Sequence, residues 1–133
     1  MNANGMPTSE VLYRAADLIE ERGWTQGSFG WPMGLGNTPL CIEGGVMAAL
    51  GTDYLAVDLS EFWSCPAYRA VQSYLGLSHD LSVKDKESRP SPVDPLWRFN
   101  DHSAAERVIE VLRAAALVEA ARESATDRQA VAR

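Results

Sequence analysis

The stretch "NDHSAAERVIEVLRAAALVEAAR", residues 100–122, decides the fold class. Val108, Ile109, Leu112, Ala115 and Ala116 recur every three or four residues, the period that lines one face of a helix, with Arg107 and Arg113 at the flanks. Ser103 and Glu106 have the spacing of a capping box, which satisfies two free N–H groups at a helix start. Asn100 and Asp101 just before them are natural capping residues as well. The sequence predicts a helix over 103–122 and a polar tail over 123–133.

The same periodicity appears upstream. In "SEVLYRAADLIEERG", Val11, Leu12, Ala15, Leu18 and Ile19 form one stripe, which predicts a helix over 9–22. Thr8 or Ser9 caps its start, Gly23 ends it, and Trp24 folds back onto its last turn. A second helix is expected over 41–50, stopped by Gly51. Gly44 and Gly45 each weaken that helix by about 1 kcal/mol relative to alanine. Such a cost is commonly offset by close approach of another backbone, so one of the two should face the first or last helix. Residues 54–63 suit short, irregular helical turns. Ser64 caps a further helix over 66–75, with Pro66 in its first turn and Ala67, Ala70, Val71, Tyr74 and Leu75 on its apolar side.

Two stretches fit no regular element. Residues 25–39 hold four glycines and two prolines, yet carry Phe29, Trp31 and Met33. A loop that rich in large apolar groups either packs over the core or presents a surface to a partner. Residues 78–95 hold three prolines and both lysines, and read as an exposed connector. The expectation is one all-α domain over 1–122, of four to five helices, with a Gly/Pro/aromatic-rich loop and an exposed Pro-rich connector.

At 133 residues and 46% apolar content the chain can bury one core. Its first ten residues have neither a basic start nor an apolar run, and no apolar stretch approaches the roughly 20 residues of a membrane helix. A cytoplasmic protein without membrane attachment is expected. The net charge of −6 falls in residues 1–80, which carry nine acidic and three basic side chains; residues 81–133 carry nine of each. An acidic first half and interleaved charges in the second do not make a phosphate-binding surface, so no nucleic acid is expected.

Cys41, Cys65, His79 and His102 follow one another at spacings of 24, 14 and 23, which match no zinc motif. "GLGNTP" lacks the lysine of a phosphate loop. No metal and no cofactor are expected. One catalytic set can be written: Cys41 as nucleophile, His102 as base, and Asn100 or Asp101 as the orienting group of a thiol hydrolase or transferase. A thiol at a helix start favours it, because the helix dipole lowers a thiol pKa there. Packing and capping explain the same residues more simply. Cys41 lies between Leu40 and Ile42, as a buried cysteine does. Glu43 suits the first turn of a helix, and if buried it needs a partner such as Arg98 or the Trp97 indole N–H. The structural reading gives architectural roles to Trp24, Cys41, Glu43, Gly44, Gly45, Trp97, Asn100 and Asp101.

In order along the chain, "AADLIEERGWTQG", "CIEGGVMAALG", "WRFND" and "ERVIEVLRAAA" resemble the blocks of a domain-of-unknown-function family of small actinobacterial and actinophage proteins, over roughly residues 10–117. Gly45 stands where that family has alanine, Phe99 expands its Trp-Asn-Asp block, and His102 matches no fixed histidine. The resemblance implies no activity, cofactor or substrate, but it implies that Trp24, Cys41, Gly44, Asn100 and Asp101 belong to one shared arrangement. Taken together, the residues point to a small non-enzymatic accessory protein that binds another protein, with Phe29, Trp31 and Met33 as candidate contact residues. The alternatives are the Cys41–His102 hydrolase and a structural component that self-associates.

Overall fold

The computed structural model describes residues 2–26, 38–81, 83–84, 88 and 90–132. Phe29, Trp31 and Met33 lie outside the described residues. Two helices form the spine, α1 (Thr8–Arg22) and α6 (Ala105–Ala132). Ser9 meets Glu123 while Asp17 and Glu20 meet Arg113, so the two helices run antiparallel. Helix α2 (Ile42–Ala49) packs on α1, and α4 (Pro66–Leu75) packs on both α6 and α1. The short helices α3 (Leu59–Trp63) and α5 (Leu96–Asp101) rest against α4 and α2. The domain is all-α, with one core built on Leu12, Ile19, Leu40, Met47, Leu96 and Leu112.

Gly45 is where α1 and α2 approach. A Cβ there would lie 2.7 Å from Ile19 Cδ1 and 2.9 Å from its Cγ1. Gly45→Ala is therefore expected to destabilise, because overpacking of about 1–3 kcal/mol exceeds the gain of about 1 kcal/mol in helix propensity. Ile19→Val removes the nearer carbon, so the second substitution should cost less in that background. A double-mutant cycle by urea unfolding reads this coupling, and strict additivity would contradict it.

Several local expectations shift by a residue or a face. Helix α6 buries Val111 with Val108, Leu112, Ala115 and Ala116, and leaves Ile109 half-buried. It continues past Arg122 to Ala132, because "ESATDRQAVA" contains neither glycine nor proline to stop it. Helix α4 turns Tyr68 and Gln72 inward and leaves Tyr74 exposed. The polar tips of Tyr68 and Gln72 find hydrogen-bond partners, which apolar periodicity does not register. Cys65 rather than Ser64 is the N-cap of α4, with Pro66 following. Within 54–63, turns at 54–56 precede the five-residue α3. Residues 96–101, for which the sequence predicts no helix, form α5.

The Pro-rich connector is tied down at its base. The buried Gln72 amide donates to the Ser78 carbonyl (3.2 Å) and the Asp94 carbonyl (2.9 Å), while Asp94 Oδ2 accepts from the Ser78 N–H (2.8 Å). Beyond that clamp, β1 (Val83–Lys84) pairs antiparallel with β2 (Pro90–Ser91), matching Val83 to Ser91 and Lys84 to Pro90. With its NH2 committed to two carbonyls, Gln72 presents Oε1 to His79, so His79 Nδ1 carries the proton. Burial, then the Arg69 charge, lowers the His79 pKa and favours the neutral ring.

The helix starts are capped mostly by residues distant in sequence. Ser9 of α1 donates both N–H and hydroxyl to Glu123 of α6. Ile42 of α2 donates its N–H to Asn100, and Ala67 of α4 donates to Asn2. Thr8 instead accepts from the Asn2 amide, and the Ser103 hydroxyl donates back to the Phe99 carbonyl, so neither makes its expected cap. Only Cys41 and Asp58 cap their own helices through side chains among the described residues.

Candidate functional site

The start of α2 carries a cluster of buried polar groups. Leu40 enters it through a parallel bridge to Trp24, with Thr25 N–H donating to the Leu40 carbonyl and Leu40 N–H to the Gly23 carbonyl. Gly23, at φ 97°, makes the turn that lets the chain leave α1 in this direction. The Trp24 indole N–H donates to Asn100 Oδ1 of α5 at 2.8 Å.

Cys41 is the N-cap of α2, and its sulfur accepts the Gly44 N–H at 3.3 Å. It is only 2% exposed. Burial raises the thiol pKa to about 12, outweighing the Gly44 N–H that favours the thiolate; the Glu43 charge raises it further. At neutral pH the sulfur is a protonated thiol, a poor nucleophile. His102 is exposed, and its Nδ1 bonds the Arg98 carbonyl at 2.8 Å. The structure does not join it to the thiol.

Glu43 is completely buried and gathers three donors. Tyr68 Oη–H and the Trp97 backbone N–H reach Oε2, each at 2.9 Å, and the Trp63 indole reaches Oε1 at 3.4 Å. Neither expected partner is used. Arg98 lies at the surface, 5.4 Å from the centroid of the Trp97 ring, and Trp97 contributes its backbone rather than its indole. Burial raises the Glu43 pKa to about 7 against the pull of those three donors, with a further push from Asp101. Tyr68 is raised as well, by burial and by Glu43, which keeps its hydroxyl protonated and able to donate.

Glu43 and Tyr68 also account for α5. Pro95 leads into it without a side-chain cap of its own. Its first two N–H groups find acceptors elsewhere, Leu96 on Tyr68 Oη at 2.8 Å and Trp97 on Glu43. At the far end of α5, Asn100 is fully buried. Its Oδ1 accepts from Ile42 N–H and Trp24, and its amide donates to the Thr25 carbonyl (2.9 Å) and Asp101 Oδ1 (3.4 Å). Asn100 and Asp101 therefore end α5, and the Asn100 side chain serves α2.

Trp24, Cys41, Glu43, Gly44, Asn100 and Asp101 thus meet around one helix start, joined by Tyr68 and Trp63. Sequence reading missed those last two because an aromatic residue on a helix reads as core, whatever its polar tip does. Among the described residues, every buried side-chain N and O has a partner. No group of three or more His, Cys, Asp or Glu there could hold a metal ion, and no helix is long and apolar enough to cross a membrane. An open cleft of about 300 Å³ runs between α1, α4 and α6, where Glu119 is paired with Arg122.

This architecture defines a small all-α domain organised around a buried, internally satisfied carboxylate and amide. The chain belongs to the family of unknown function DUF6197, whose model matches residues 3–118. No curated protein and no solved structure matches it.

Proposed function

We propose that this protein is a cytoplasmic, non-enzymatic accessory factor that acts by binding another protein. The resemblance to actinobacterial and actinophage proteins suggests a phage or host setting. One observation carries the reading: Trp97 is 43% exposed although its backbone N–H is fixed by the buried Glu43. A large aromatic side chain carried on a fixed backbone has only its own two torsions to order on binding. Tryptophan and arginine are the residues that most often dominate protein interfaces, and Arg98 stacks beside this ring. The Cys41 thiol and the Glu43 and Asn100 side chains are committed to partners inside the fold. Phe29, Trp31 and Met33 remain candidate contacts on sequence grounds.

Affinity capture from a host lysate tests the proposal, with Trp97→Ala and Trp31→Ala as parallel baits. The expected result is a partner recovered by the wild type and depleted at least about tenfold by one of the variants. Recovery that is identical for all three baits would count against it. Alkylation addresses the Cys41 hydrolase reading directly. Iodoacetamide at pH 6 should label native Cys41 far more slowly than the unfolded chain, and faster labelling would revive that reading.

A further inference from the structure

Helix α6 buries one apolar stripe in the monomer and leaves a second, mixed face open. The buried stripe runs through Val108, Val111, Leu112, Ala115 and Ala116. On the opposite side, Glu110, Ala114, Leu117, Ala121, Ser124 and Arg128 follow at alternating steps of four and three residues, the period of a coiled-coil seam. Ala114 is half-buried and the others are exposed, Leu117 at 66%. The helix also outruns its support. Glu123 already meets Ser9 at the start of α1, and residues 124–128 beyond it are exposed. Isolated helical turns are marginal in water, so those turns gain most from a neighbour.

We infer that this outer face of α6 is the seam of an antiparallel dimer with a second copy of the chain. The seam is complementary to itself in that direction only. Turned end over end, Leu117 falls opposite Ala121 of the second copy, Ala114 opposite Ser124, and Glu110 opposite Arg128. Every large residue meets a small one, and each end pairs a carboxylate with a guanidinium. In a parallel arrangement Glu110 would face Glu110 and Arg128 would face Arg128, which is repulsive. Glu110 Oε1 is bound to Arg107 within the helix, which leaves Oε2 for the second copy. One short seam is smaller than the roughly 800 Å² per partner of a standard interface, so a micromolar dimer is expected.

This interface lies apart from Trp97 and goes beyond the binding proposed above. Sedimentation equilibrium of the full chain, from about 1 to about 500 μM, is the test. The wild type should pass from monomer to dimer, and Leu117→Asp should weaken dimerisation at least about tenfold with unchanged circular dichroism. Glu110→Arg and Arg128→Glu should each weaken it, and combining the two should restore it, because the swap re-forms both end pairs. Trp97→Ala should dimerise as the wild type does. A wild type that stays monomeric throughout, or a charge swap that fails to restore the dimer, overturns the inference.

Discussion

Glu43→Ala is expected to lower the stability of the protein by about 4 kcal/mol at pH 5, and by much less at pH 8. Truncation leaves the Tyr68 hydroxyl, the Trp97 N–H and the Trp63 indole without an acceptor in a dry interior. Each buried, unsatisfied donor costs about 1–3 kcal/mol, and the vacated volume adds a cavity. The pH dependence comes from the wild type. Its folded-state Glu43 pKa is raised from the ordinary 4.5 to about 7, so the folded chain holds this proton more tightly than the unfolded chain. The resulting stability is fully present below pH 4.5 and is lost as pH rises through 7, by roughly 3 kcal/mol in all. That is a large part of a net stability of about 5–15 kcal/mol. The deficit of Glu43→Ala should therefore shrink across this window. Glu43→Gln supplies the isosteric comparison, since its amide does not titrate. Urea unfolding from pH 4 to pH 8 should show the wild type falling relative to both variants. Any contribution from His79 cancels in the differences. Parallel curves would mean that the Glu43 carboxyl has the same pKa folded and unfolded.

The role of this carboxylate explains how much the sequence could show. The apolar period of α1 and α6 is a local property, and the all-α class follows from it. The glycine contact was legible for a similar reason: two glycines inside a short helix announce a close neighbour, and at Gly45 that neighbour is Ile19. Capping is the opposite case. Local rules assign Thr8 or Ser9 to α1 and Ser103 with Glu106 to α6, while the fold brings Glu123 to α1, Asn100 to α2 and Asn2 to α4. Those partners lie 114, 58 and 65 residues away, beyond any local pattern. Helix α5 was illegible for the same reason. Six residues with no cap of their own do not read as a helix until Tyr68 and Glu43 take its first N–H groups. Trp24, Cys41, Gly44, Asn100 and Asp101 are grouped by the family resemblance, but neither their pairings nor the part played by Tyr68 and Trp63 can be read from it. Asn100 reads as a local cap when its amide in fact joins three separate segments.

Asn100→Ala should be nearly as damaging, at about 3–4 kcal/mol, because it leaves the Ile42 N–H, the Trp24 indole N–H and the Thr25 carbonyl unpaired together. Asn100→Asp separates the chemistry from the volume. A carboxylate would still accept from Ile42 and Trp24. Its second oxygen, however, would face the Thr25 carbonyl and Asp101 Oδ1, both acceptors, 2.9 and 3.4 Å from the amide nitrogen it replaces. The negative charges of Glu43 and Asp101 act in the same region. An aspartate here has a reason to keep its proton when folded, since the protonated form supplies the missing donor. Its folded pKa should rise, and its stability should be lost as pH increases above the unfolded value. Asn100→Asp is thus expected to be milder than Asn100→Ala at pH 4 and at least as damaging at pH 8. Denaturation at the two pH values tests the order. Hydrogen exchange at the Trp24 indole supplies the local reading: its protection should survive in Asn100→Asp at pH 4 and disappear in Asn100→Ala. If both variants unfold like the wild type, the three segments are held together by packing alone, and the amide is a passenger. The requirement for one acceptor and one donor at a single buried point is what selects asparagine over every other residue of its size.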